Sequence, residues 1–216
     1  MADMQCILAG LTRLFGPVLL MILWHKKTGA GFTPALVAFP VCYPVFFIGA
    51  AIRSVFSHSN PAAYYIKQGL LFGILEEGAK FLVLCYLLSS YDSRKDAVSY
   101  GIGHSAFEAF GAGMTCLGLI GTGRAAPDIF WFNLWAFMEG TASAVALTVL
   151  IFYGIYTGRN KWMLPAAILL HALGNASQGL FIKPAAITVN ILLTAGECFA
   201  AYRCWEAMRN PYEDEI

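Results

Sequence analysis

Seven long apolar stretches run through the chain, at about 5–24, 34–56, 63–90, 96–121, 130–157, 162–182 and 185–207, separated by charged, proline and glycine residues. Each is near or above the ~20 residues a helix needs to cross a bilayer. The pattern predicts an all-α fold: a polytopic membrane helical bundle of about seven transmembrane helices, forming a single domain over residues 1–216. The first stretch carries Asp3 where a signal peptide would carry basic residues, and no small-residue cleavage site precedes Trp24-His-Lys-Lys27. It is expected to stay as a permanent span. All five tryptophans (Trp24, Trp131, Trp135, Trp162, Trp205) fall near span ends, where an amphipathic ring favours the headgroup region.

Polar residues inside these stretches are the exceptions that need a reason. Glu76 and Glu77 interrupt the third stretch, Gly69 to Leu88. A charge at the centre of a membrane helix costs about 2.5–3.5 kcal/mol on insertion scales, so such residues are expected to be functional and to have partners. Candidate partners are Lys80 on the same helix, His104 and Glu108 on the next, and His171 and Asn175 on the sixth. At 1.5 Å per residue, Glu76 and Glu77 lie roughly 20 Å from one membrane face, Lys80 about 15 Å, His104 about 12 Å, Glu108 about 18 Å, His171 about 14 Å and Asn175 about 20 Å. Three helices, 63–90, 96–121 and 162–182, thus bring polar groups to one level. His104 and Glu108, and His171 and Asn175, are each four apart and share a helix face. Gly69, Gly73, Gly101, Gly103, Gly111 and Gly113 allow close helix approach around that level.

The same spacing pairs Glu76 with Lys80 as an i,i+4 ion pair and leaves Glu77 without such a partner. Glu139, Glu197 and Asn190 stand apart in the sequence and read as hydrogen-bonded packing or pore-lining groups. The sequon Asn175-Ala-Ser177 lies within a span and is read as unglycosylated.

Composition agrees with the pattern: the chain is 58% hydrophobic and 12% charged, too apolar for all of it to be buried in a water-soluble core. A net charge of +1 with no basic tail gives no support to a nucleic-acid partner, so none is expected, and membrane lipid is the expected surroundings. Eight Lys and Arg (Lys26, Lys27, Arg94, Lys95, Arg159, Lys161, Arg203, Arg209) fall on one side of a seven-span arrangement and four (Arg53, Lys67, Arg124, Lys183) on the other. The positive-inside rule predicts a multi-pass protein of the cell membrane, N-terminus outside and C-terminus cytoplasmic. The six cysteines show no Cys-x-x-Cys spacing and read as reduced packing residues.

Paired carboxylates in a low-dielectric site supply a general base or acid usable near neutral pH. A histidine beside them can share a water, and an Asn amide with a second imidazole can donate to an oxyanion. Glu76, Glu77, His104, His171 and Asn175 therefore make a water-activating hydrolytic site, with Lys80 and Glu108 supporting. Asp3, Asp92, Asp96, Asp128 and Asp214 all lie outside the spans or at a span end, which removes an intramembrane aspartyl dyad, and no His-Glu-x-x-His is present. Gly103-His104-Ser105-Ala106 is a weak basis for a Ser105/His171 dyad. His104, Glu108 and His171, with a glutamate, would be acceptable zinc ligands.

Three segments resemble one family. Leu75-Glu76-Glu77-Gly78-Ala79-Lys80 is similar to the Glu-Glu-x-x-Lys/Arg motif of the CAAX-protease and bacteriocin-processing superfamily, which includes the PrsW proteases. Gly101-Ile-Gly-His104-Ser-Ala-Phe-Glu108 resembles the Gly-x-Gly-His-x-x-x-Glu segment of its YhfC branch, and His171-Ala-Leu-Gly-Asn175 resembles the His-x-x-x-Asn/Asp motif of the last catalytic helix. The resemblance implies a glutamate-type intramembrane endopeptidase that needs no cofactor, in which a Glu-Glu carboxylate and His104 activate water while His171 and Asn175 stabilise the oxyanion. Its substrate would be a membrane-associated protein or peptide. The alternatives are a metal-dependent intramembrane protease, using zinc, and a non-catalytic scaffold or immunity-type protein of the same fold. A carrier is disfavoured because no inverted repeat is evident.

Overall fold

In a computed structural model that describes residues 2–56 and 59–209, the chain is an all-helical bundle. Among the described residues the long helices are α1 (Ala2–Thr28), α2 (Thr33–Arg53), α3 (Pro61–Leu82), α4 (Arg94–Gly118), α5 (Ile129–Thr157), α6 (Asn160–Leu180) and α7 (Lys183–Ala207). They coincide with the seven apolar stretches. A π-helical turn, Val83–Leu87, extends α3 and closes with the Leu88 amide on the Val83 carbonyl at 2.8 Å.

Local chemistry sets the ends. Proline opens α2, α3 and α7 in the first turn, where a missing N–H costs nothing. The Asn60 side chain accepts the Ala63 amide at 3.1 Å, and the Ser93 hydroxyl accepts the Lys95 amide at 3.2 Å. Gly158, at φ 70°, supplies the left-handed residue that ends α5. Pro17, Pro40, Pro44 and Pro165 sit inside helices, as membrane bundles tolerate.

Helices α1, α2, α5 and α7 are long and apolar enough to cross a membrane. The protein is a helical membrane bundle, with Leu36, Phe47, Leu192 and Phe199 among the large apolar side chains on its outer surface. The three remaining helices, α3, α4 and α6, are diluted by the polar residues that form the site described below. Their polar faces turn inward: α3 packs on α6, and α4 packs on α1, α2 and α5, while Ile74, Leu82, Leu169 and Leu173 stay on the outer surface. The second half of α5, Ala146 to Phe152, runs through the main core with Leu84, Leu88, Tyr100, Ala167 and Ala201.

Without a hydrophobic drive between helices in lipid, close backbone approach decides the packing. A Cβ on Gly73 would stand 2.7 Å from the Ile168 carbonyl oxygen and 3.3 Å from the Ala172 amide, so the α3–α6 contact exists because Gly73 has none. Gly69, one turn earlier, meets the Ala172 carbonyl in the same way. On α4, a Cβ on Gly103 would collide with the backbone of Ala35 in α2.

Gly73→Leu is expected to force α6 off α3 and to cost at least the 1–3 kcal/mol typical of overpacking. Gly78 has nothing within 4 Å of its Cβ direction. Gly78→Ala is therefore expected to hold or raise the detergent melting temperature, whereas Gly73→Leu lowers it by many degrees; equal melting curves for the two would refute this account of the interface.

Candidate active site

The buried residues of α3 are Gly69, Gly73, Glu77 and Lys80, spaced four, four and three apart: one stripe facing α6. Glu77 and Lys80 thus continue the glycine stripe inward. Both are sealed, with side-chain exposures of 0% and 1%, and Lys80 Nζ donates to Glu77 Oε1 at 2.8 Å. The pair is Glu77–Lys80, not the expected Glu76–Lys80. Spacing alone allows either; the α6 contact turns Glu77 to the inside and leaves Glu76, 100° around the helix, toward α4.

The same Glu77 Oε1 lies 2.6 Å from Nδ1 of His171 on α6. Gly73 permits this contact, since it seats Ala172, the next residue of α6, against α3. Lys80, Glu77 and His171 therefore form a buried chain that fixes the imidazole. Burial of an ion pair is tolerable only when the charges are hydrogen-bonded in this way.

Glu76 faces two imidazoles. His104 Nε2 is 3.2 Å from Glu76 Oε2, and His171 Nε2 is 3.8 Å from the same oxygen. His104 Nδ1 is in turn 3.2 Å from Cys42 Sγ on α2, and the Cys42 thiol donates to the Ala38 carbonyl at 3.3 Å. Each ring thus has its Nδ1 engaged by a neighbour and its Nε2 turned to Glu76. Glu108, one turn beyond His104, completes a group in which one donor atom each of Glu76, His104 and Glu108 lies within 4.8 Å of the others.

These donors fit a metal ion. In the tautomer with the Nδ1 protons toward Glu77 and Cys42, both Nε2 atoms would present lone pairs toward Glu76, an arrangement that a cation between them would satisfy. Imidazole and carboxylate are ordinary ligands of catalytic zinc, and an Nδ1 held by a carboxylate or another acceptor is the usual support of a ligating histidine.

Two cavities meet at this cluster. One, of about 500 Å³, is walled by Tyr43, Phe46, Phe47, Phe72, Phe107 and Phe110 and reaches Glu76 and His104. The other, of about 280 Å³, lies between α4, α5, α6 and α7 and is polar. Asn175 and Glu108 line both. Glu139, Asn190 and Glu197, which stand apart in the sequence, all open into the second cavity with Arg13 and His171. Glu139 accepts the Thr194 hydroxyl at 3.1 Å, and Asn190 accepts the Ser177 hydroxyl at 3.1 Å. The Ser105 hydroxyl is buried and donates to the Ile102 carbonyl at 2.9 Å, away from His171. Cys42 carries no sequence signal for its place beside His104, whereas the inward turn of Glu77 is readable from the Gly69-Gly73-Glu77-Lys80 stripe.

Residues 45–121 match the family model described as the YhfC intramembrane metalloprotease. Over this segment, about a third of the chain, the sequence is similar to a family of intramembrane peptidases. The matched segment carries Glu76, Glu77, Lys80, His104 and Glu108; His171 and Asn175 lie beyond it. No curated protein and no solved structure matches the chain. The family's description is one of metal dependence, the alternative named above from the zinc-type ligands, and the donor set accords with it.

Glu77→Gln strands the Lys80 ammonium in the interior, at about the 3–5 kcal/mol cost of breaking a buried pair. Thermal unfolding in detergent should therefore drop sharply for Glu77→Gln, recover in Glu77→Gln/Lys80→Met, and stay near the parent value for Glu76→Gln. Equal destabilisation by both single Gln variants would contradict the pairing.

Proposed function

We propose that the chain is a metal-dependent endopeptidase that hydrolyses a peptide bond of a membrane-associated protein or peptide. The observation that carries this reading is the convergence of His104 Nε2 and His171 Nε2, from different helices, on one oxygen of Glu76, with each Nδ1 already occupied. Glu76, His104 and Glu108 would hold the metal, being the donors that lie together. When bound it would lower the pKa of a water molecule and polarise the scissile carbonyl.

The remaining roles belong to the chain itself. The aromatic cavity between α2, α3 and α4 offers an extended substrate segment a route to Glu76. His171, held by Glu77 and through it by Lys80, is oriented to take a proton from the attacking water and return it to the leaving amine. The Asn175 amide, at the junction of the two cavities, is positioned to donate to the oxyanion. Ser105, spent on a backbone carbonyl, takes no part.

A second reading, the metal-free glutamate mechanism, is favoured by the direct 3.2 Å contact of Glu76 with His104, which would let Glu76 act as general base to a water shared with the imidazole. The two readings part on metal content. In the metal-dependent one, purified protein binds one zinc per chain, Glu76→Gln and His104→Ala lose it, and His171→Ala keeps it while losing roughly 10²-fold or more in turnover. Ser105→Ala retains activity. Cleavage of a reporter peptide that persists unchanged after exhaustive chelation, with no metal detected, would transfer the assignment to the glutamate mechanism; retained activity in both Glu76→Gln and His104→Ala would sink the peptidase site altogether.

A further inference from the structure

Helices α1 and α7 both lie on α5 but diverge from one another, meeting at the edge-to-face contact of Trp24 with Trp205, whose ring centroids are 6.0 Å apart. Between them is a cleft of about 660 Å³ floored by α4 and α5, with Leu23, Val98, Ile102, Val145 and Met138 among its walls. Its lining is almost wholly apolar, and it is separate from the cavities at Glu76.

At the two tryptophans the cleft runs into a second cavity, of about 1250 Å³, where α1 ends, α4 begins and α7 ends. Trp24, Lys27, Val98, Val145, Tyr202 and Trp205 line both. The character changes there. Lys26, Lys27 and Lys95 stand at this mouth with Arg94 and Arg209, against Glu206 as the acidic lining residue among those described. Arg94 is already committed: its guanidinium lies 4.6 Å over the Trp205 ring and donates to the Trp205 carbonyl at 3.0 Å. Beyond Arg94, the positive charge of the mouth is carried by Lys26, Lys27, Lys95 and Arg209. Tryptophans mark the depth of the headgroup region, so the lysines lie at headgroup level and the apolar cleft at acyl-chain level.

We propose that this cleft and its mouth bind an anionic glycerophospholipid, one acyl chain between α1 and α7 and the phosphate among Lys26, Lys27 and Lys95. A soluble anion would satisfy the lysines and leave the cleft unfilled; a zwitterionic lipid would fill the cleft and leave the positive charge without a net partner. An anionic phospholipid answers both, and lysines beside an anionic leaflet favour it by electrostatics.

The full chain, reconstituted in nanodiscs of equimolar phosphatidylcholine and phosphatidylglycerol and released into the gas phase for native mass spectrometry, is expected to retain phosphatidylglycerol over phosphatidylcholine by roughly tenfold, the scale set by a few lysines near an anionic surface. Lys26→Gln/Lys27→Gln/Lys95→Gln should bring that ratio close to one, and Ala142→Phe, which fills the cleft, should lose bound lipid of either kind. Both variants should keep the parent helical circular dichroism in phosphatidylcholine. Inorganic phosphate should not raise the melting temperature. No preference in the parent chain, a preference that survives the triple substitution, or stabilisation by inorganic phosphate equal to that by the lipid would each overturn the proposal. So would a preference that emerges only when Glu213, Asp214 and Glu215 are changed to Gln, since the acidic end of the chain would then be the partner of the lysines.

Discussion

The contact on which this bundle depends is the buried chain from Lys80 through Glu77 to His171. Glu77 and Lys80 are sealed from bulk water and lipid, His171 is mostly buried, and each group is tolerable because of the next. Remove the carboxylate and an ammonium is stranded; remove the ammonium and the carboxylate loses the charge that keeps it in place. The chain also ties α3 to α6, so the orientation of the His171 imidazole and the packing of two helices are the same fact.

Glycine makes that contact reachable. Gly69 and Gly73 bring the α3 backbone against α6, and Gly103 brings α4 against α2. The first contact carries His171 to Glu77, and the second carries His104 to Cys42. With both rings braced from behind, their Nε2 atoms turn to the space beside Glu76, where Glu108 also arrives. In the proposed metal-dependent reading this bracing would help, because donors that are already oriented need no reorganisation when a ligand binds.

The arrangement also explains a division of labour among the helices. Helices α1, α2, α5 and α7 are apolar enough to cross a membrane by composition, whereas α3, α4 and α6 carry the polar groups on their inner faces and present residues such as Ile74, Leu169 and Leu173 outward. The aromatic cavity on one side of the cluster and the polar cavity on the other give it two distinct environments, one suited to an apolar peptide segment and one to water and protons.

Much of this was legible in the residues. Seven helices followed from apolar length, because a membrane span must satisfy its backbone internally and advertises itself as a long apolar run. The common depth of Glu76, Glu77, His104, Glu108, His171 and Asn175 followed from the rise per residue, because depth along a helix is a one-dimensional quantity. What depth cannot supply is rotation. Whether Lys80 would meet Glu76 or Glu77 depended on which face of α3 lies on α6, and that was decided by Ala172 seating against Gly73. Glu139, Glu197 and Asn190 looked isolated because their partners are on other helices, and Cys42 looked like filler because nothing local marks it as the brace of His104. The sequence by itself determined the elements, the level at which their polar groups lie and, through the Gly69-Gly73-Glu77-Lys80 stripe, a hint of how α3 faces; only the tertiary structure decided which of those groups touch, because contact needs the facing of two helices at once.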